Sequence, residues 1–193
     1  DYDLMDVLQN DHRLMPHLHL SIQHGDDLIL KRMKRRHLRR DVINFVNEAR
    51  RRRSDIVFGA DFISGFPTEN ENAHNKSIEL IKEANITYVH VFPYSHRNGT
   101  VASKMPKVSN ADIKKRAKDL RKLSEAQNKK FLLSQVGTIQ SVLVEKNSIG
   151  HTPYFSKIKL NEDVKANEII PTHIVDTNSE GLIGSVYQDH LKK

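Results

Sequence analysis

Hydrophobic and polar residues alternate along His17-Leu18-His19-Leu20-Ser21-Ile22-Gln23. Leu18, Leu20 and Ile22 fall on one side of an extended segment, and His17, His19, Ser21 and Gln23 on the other. That period of two predicts a strand over 16–23. Gly25, Asp26 and Asp27 close it and a helix over 26–36 is expected at once, so the stretch reads as a βα unit. Helices cover the strands of such units, which directs the polar face into a barrel lumen or cleft. The row His17, His19, Ser21, Gln23 is therefore read as ligand-facing.

The same reading extends along the chain. A short helix is expected over 2–10, striped by Leu4, Val7 and Leu8, and another over 41–53, where Val42, Phe45, Val46 and Ala49 recur at helical spacing. Ile56 to Ile63 is a strand rich in Ile, Val and Phe, ended by the turn Ser64-Gly65-Phe66-Pro67. Thr68 to Glu71 has the form of a capping box opening a helix over 69–84, with Glu69 serving its positive end. Thr87 to Pro93 is a strand with Val89 and Val91 on one face and Tyr88, His90, Phe92 and then Tyr94 on the other. Ser109 and Asp112 cap a long helix reaching about Leu133.

Beyond residue 134 the helical period stops. Short β-type runs at 138–145, 154–160, 168–175 and 182–186 are separated by turn compositions, including Asn147 to Gly150. Four or five short strands in that space predict a small antiparallel barrel of the kind that binds nucleic acid. The expected architecture is α/β over 1–133, as part of a (β/α) barrel, and a small antiparallel β-barrel over 134–193.

Composition narrows the chemistry. Net charge is +7, from 31 basic and 24 acidic residues, which favours a polyanionic partner. No apolar run is long enough to span a bilayer, so no membrane partner is expected. Residues 1–10 are acidic and mixed, the look of a chain cut from something longer. The chain has no cysteine, which excludes disulfides and thiolate ligation of any metal or cluster by its own residues. His17 and His19 are spaced as an imidazole pair, but with no third ligand in view they are read as lumen hydrogen-bonding groups, and no metal site is expected.

Four blocks carry a family resemblance: His17 to Gln23, Leu30 to His37, Gly59-Ala60-Asp61-Phe62-Ile63-Ser64-Gly65-Phe66-Pro67-Thr68-Glu69, and Val91-Phe92-Pro93-Tyr94-Ser95 with Arg97, Gly99 and Thr100. In sequence and spacing they resemble the radical S-adenosylmethionine methylthiotransferases, most closely the branch acting on threonylcarbamoyladenosine in tRNA. The final barrel resembles that family's TRAM domain, an OB-like fold. His24 stands where the family has a small residue.

The resemblance implies a tRNA methylthiotransferase, S-adenosylmethionine and 4Fe-4S clusters as cofactors, tRNA as partner and a cytoplasmic location. The cluster cysteines belong to a preceding half that this chain lacks, so it is expected to be inactive alone, with that half as its second partner. No catalytic residue is assigned. Ser21, Gln23, Asp61, Ile63 and Gly65 are expected to line the cofactor, and His90, Tyr94 and Arg97 to meet the substrate. The open side of a partial barrel implies poor solubility in isolation. Isopentenyladenosine in tRNA, a ribosomal protein, or a non-catalytic RNA-binding role stand as alternatives.

Eleven cations lie between Lys31 and Arg53, with acids only at Asp41 and Glu48. Lys34, Arg35, Arg36, Arg39 and Arg40 are assigned to the tRNA backbone, and the basic face Lys114 to Lys130 of the long helix is a weaker candidate.

Overall fold

The computed structural model describes residues 2–188. Their Cα positions group into two compact units, one of residues 2–14 and 18–127, the other of 15–17 and 128–188.

The first unit is α/β. A three-stranded sheet has the order β1 (His17–Gln23), β2 (Val57–Ser64), β3 (Tyr88–Pro93). Strands β2 and β3 pair in parallel, with Asp61 opposite His90 and Ile63 opposite Phe92. Helices α1 (Tyr2–Asn10), α2 (Asp27–Arg32), α3 (Arg39–Arg52), α4 (Glu71–Glu83) and α5 (Asn110–Gln135) complete the βα rhythm. One core joins Phe58, Ala60 and Phe62 of β2 to Val42, Val46 and Ala49 of α3, Leu80 and Ile81 of α4, and Leu120 of α5. Complete burial of each large side chain among these contributes about 1.5–3 kcal/mol. Pairing with an opposite strand requires alternation, so the other face of β2 carries Gly59, Asp61 and Ile63.

Three helices depart from the expected outline. In α1 the buried residues are Met5 and Leu8, while Leu4 and Val7 are exposed. Helix α2 stops at Arg32, four residues short of expectation. Lys34 takes a left-handed φ of 57°, and the N–H groups of Arg35 and Lys34 bond the carbonyls of Leu30 and Lys31. This is a Schellman closure, and it avoids stacking further cations at i, i+3 and i, i+4 along one short helix. Lys34, Arg35 and Arg36 thus sit on a loop. Helix α4 is capped not by Thr68 but by Asn70, whose side chain accepts the Ala73 N–H at 2.9 Å.

Glu69 has a larger task than serving a helix end. It is buried at the corner where β1 and β2 deliver their carboxyl-terminal turns. Its Oε2 accepts the Gly65 N–H at 2.8 Å and the Phe66 N–H at 3.3 Å, and lies 3.2 Å from His24 Nε2. Its Oε1 takes a bond from Arg116 of α5 at 3.1 Å, and the same guanidinium donates to the Glu69 carbonyl. His24 Nδ1 accepts the Asp26 N–H, which places the ring proton on Nε2, facing the carboxylate. Beside it, burial pushes the His74 imidazole below its ordinary range, so that ring stays neutral next to the Glu69 and Arg116 charges.

Two glycines make this corner possible. At Gly25 a Cβ would stand 2.3 Å from the Lys76 carbonyl of α4. At Gly65, φ is +73° and a Cβ would fall 2.3 Å from Ile113.

The second unit is a closed five-stranded barrel in the order β4 (Ile139–Lys146), β5 (Ile149–His151), β6 (Lys157–Leu160), β8 (Gly181–Val186), β7 (Glu168–Asn178). Val142, Val144, Ile158, Leu160, Ile174 and Leu182 fill it, with Leu132 of α5. Two expectations are corrected. Strand β5 falls where a longer turn was expected, because Asn147 and Ser148 both take positive φ (54° and 56°) and reverse the chain in two residues. The barrel is also not wholly antiparallel: β6 and β8 pair in parallel.

Burial raises the Glu69 carboxyl's pKa, but the hydrogen bond from His24, the Arg116 charge and the Gly65 N–H outweigh it and hold it below the ordinary range of a glutamate. A carboxylate depressed on folding contributes stability above its unfolded pKa that is lost as pH falls through the folded value. Denaturant unfolding followed against pH should show this contribution declining only below about pH 4.5. Glu69→Ala should cost about 3–5 kcal/mol at neutral pH, since it strands Arg116 and two backbone donors. Gly65→Ala should cost more than about 1 kcal/mol by the same measurement.

Candidate functional site

The open face of the sheet gathers polar groups from all three strands. Asp61 and His90 are directly opposed in the β2–β3 ladder, and β1 brings His19 beside them. His19 Nε2 lies 2.9 Å from Asp61 Oδ1, and His90 Nδ1 lies 3.6 Å from the same oxygen. The two imidazoles are tilted by 40° with centroids 4.9 Å apart. His90 is well exposed, with His19 and Asp61 partly so, which leaves the cluster accessible from the sheet face. Strand alternation places His19 and His90 on the polar faces of their strands, and the family resemblance singles out Asp61. The ligand-type companions of His19 are Asp61 and His90, 42 and 71 positions away in the chain. His17, the sequence neighbour, is not part of the cluster.

The other assigned residues lie in several places. Ser21 is exposed on β1 and borders a cleft of about 310 Å³ with Leu20, His37, Asp41, Val42 and Phe45. Gln23 is buried at the end of β1 with a φ of 73°. Ile63 and Tyr94 belong to a small apolar group around Phe66, where the Tyr94 ring meets Phe66 edge-on. The Tyr94 hydroxyl is buried there without a hydrogen-bond partner. Gly65 gives its N–H to Glu69 and its open side to Ile113. Phe92, unassigned as a site residue, is half-exposed on the same face as His90, opposite Ile63. Arg97 is exposed in the loop after β3.

The basic stretch divides into two populations. Lys34, Arg35, Arg36 and Arg40 are exposed. Arg39 is not a free cation: its guanidinium binds Glu83 and the Lys76 carbonyl. Arg50 grips the carbonyls of Ala84 and Asn85 and stands 5.1 Å over the Phe58 ring. Arg53 bonds the Leu14 carbonyl at 2.7 Å. Arg51 and Arg52 both bond Glu48, and these bonds lower its carboxyl to about 2. Along α5, Lys114, Lys115, Lys118, Arg121, Lys122, Lys129 and Lys130 are all exposed.

Asp61 offers a carboxylate on the sheet face beside His19 and His90, whereas Ser21 borders the separate cleft against α3 and Ile63 packs around Phe66. A 4Fe-4S cluster requires thiolates, and the chain has no cysteine to supply them.

Residues 1–81 match the radical SAM superfamily. A threonylcarbamoyladenosine tRNA methylthiotransferase of Rickettsia prowazekii is 43% identical over 175 residues, 91% of this chain and 42% of its own. A tRNA-2-methylthio-N(6)-dimethylallyladenosine synthase of Bartonella henselae is 34% identical over 195 residues, 95% of this chain and 43% of its own. Among solved structures, the radical SAM coproporphyrinogen III oxidase of Escherichia coli aligns with 69% of this chain and 30% of its own, at 20% identity and a TM-score of 0.46. The chain spans less than half the length of the curated relatives it matches. No helix among the described residues is long and apolar enough to cross a membrane. The chain belongs to the radical S-adenosylmethionine methylthiotransferase family.

Proposed function

We propose that this chain is the tRNA-facing portion of a methylthiotransferase that adds a methylthio group to threonylcarbamoyladenosine. The observation that carries this reading is the 43% identity to the Rickettsia enzyme, which extends over 91% of the chain. The relatives named for dimethylallyladenosine match at 34% and below, and favour that base as the second choice.

In this reading S-adenosylmethionine supplies the radical chemistry, with a cluster held outside this chain. Ser21 and Asp61 hydrogen-bond the cofactor's hydroxyl and amino groups, while Ile63 pads the site and Gln23 and Gly65 shape its floor. His90 meets the base, Tyr94 closes the wall beside it, and Arg97 takes a phosphate. Strand β1 is an edge of the sheet, so its outer backbone is where the cluster-bearing part of the enzyme would continue the barrel. The barrel of residues 139–186 would serve as the TRAM domain, supported by its closed, five-stranded, OB-like form. Substrates of this class support a cytoplasmic setting.

The basic residues divide between binding and architecture. Lys34, Arg35, Arg36 and Arg40 contact the tRNA backbone, assisted by the lysine face of α5. Arg39 acts indirectly, by fixing the start of α3 against α4.

Two measurements test this reading. Joining the chain to the cluster-bearing part of the Rickettsia relative should give methylthio-threonylcarbamoyladenosine in tRNA, read by nucleoside mass spectrometry. Methylthio-dimethylallyladenosine instead would move the assignment to the second base, and neither product would overturn the reading. In tRNA gel shifts across a salt series, replacing Lys34, Arg35 and Arg36 with Ala should reduce the salt slope by about 2–3, the amount for three phosphate contacts. An unchanged slope would remove this loop from the footprint.

A further inference from the structure

Asp61 and His90, assigned above to the cofactor and the base, form with His19 the one group of histidine and carboxylate side chains among the described residues whose ligand atoms all lie within 4.8 Å of one another. We propose that these three form a binding site for a divalent transition-metal ion, on the face of the sheet and independent of any iron–sulfur cluster.

The donor set comes first. Two imidazoles and one carboxylate are the ligands that zinc and its first-row neighbours take in sites that keep a coordination position open. Calcium and magnesium, which prefer several oxygen ligands, are poorly served by it. The separations come next. For bonds of about 2.0–2.2 Å, neighbouring ligand atoms around a tetrahedral ion stand about 3.3–3.6 Å apart, and around an octahedral one about 3.0 Å. The values of 2.9 Å and 3.6 Å from Asp61 Oδ1 to the two ring nitrogens fall across that range.

The scaffold holds the ligands close to this arrangement. Asp61 and His90 are register partners in adjacent strands, so their Cα atoms are fixed by the ladder rather than by a loop. His19 projects from the third strand of the same sheet. Among the described residues, the salt bridges of Asp61 run only to these two histidines, and no lysine or arginine claims its charge. An ion would displace the proton shared between His19 Nε2 and Asp61 Oδ1 and take its place. With His90 open to solvent, the remaining coordination positions face the open side of the sheet, where water or a donor atom of a ligand could occupy them.

The test uses Co²⁺ as the probe and the untagged 193-residue chain, with visible d–d absorption as the readout. Titration should show one equivalent bound, with the intense bands of low-coordinate Co²⁺, and excess Zn²⁺ should abolish them. His19→Gln, His90→Gln and Asp61→Asn, each at an accessible position, should each weaken binding at least about tenfold. His96→Gln, on the loop after β3, should leave it unchanged. Absence of binding by the parent chain, or titrations unaltered by the three substitutions, would overturn the proposal. The outcome does not depend on tRNA binding or on methylthio transfer, so it stands or falls apart from the functional reading.

Discussion

A buried carboxylate without compensation is among the most costly groups a protein can contain, and the first unit is arranged around satisfying one. The donors to Glu69 come from the end of β1, the turn after β2 and the first third of α5, segments spread between His24 and Arg116. None of these contacts could be lost without stranding a charge or a backbone donor. The carboxylate therefore fixes where two strands end and where the long helix crosses them. Asp26 repeats the device nearby, accepting from Ile29 as the N-cap of α2 and from Lys76 of α4. Together they hold the carboxyl-terminal rim of the sheet, which is where ligands of parallel α/β folds gather.

Much of this was legible in the chain. The period-two stretch of His17 to Gln23 and the apolar runs at 56–63 and 87–93 mark strands, and the stripe of Val42, Val46 and Ala49 marks the buried face of α3. What was not legible depended on geometry that no local pattern contains. Glu69 looks like a helix-opening acid, because nothing adjacent to it reveals that its partners are residues 24 and 116. Lys34 carries no glycine-like signal, yet it adopts the left-handed conformation that ends α2. The parallel pairing of β6 and β8 is likewise invisible to turn chemistry. The His19–Asp61–His90 group was half-visible: alternation placed the two histidines on the polar faces of their strands and the resemblance singled out Asp61, but only the register of β2 against β3 makes Asp61 and His90 opposite one another.

The division of labour across the chain explains why it resembles an enzyme and yet lacks that enzyme's defining ligands. The sheet offers strand ends, a glycine turn and half-exposed aromatic and polar groups, but no thiolates. The family assignment rests on sequence identity over most of the chain, and thiolate ligation of a cluster cannot come from these residues themselves.

The arginine-rich stretch has a further meaning for how this sequence can drift. Arg50 needs the planar fork of a guanidinium, because it spans two carbonyls while stacked on Phe58. Lysine keeps the charge there and loses the function. On the loop at 34–36 a cation of either kind gives the same field. Divergence should accordingly treat neighbouring arginines by different rules, exchanging them freely with lysine where only charge counts and holding them where the shape of the head group is what the fold uses.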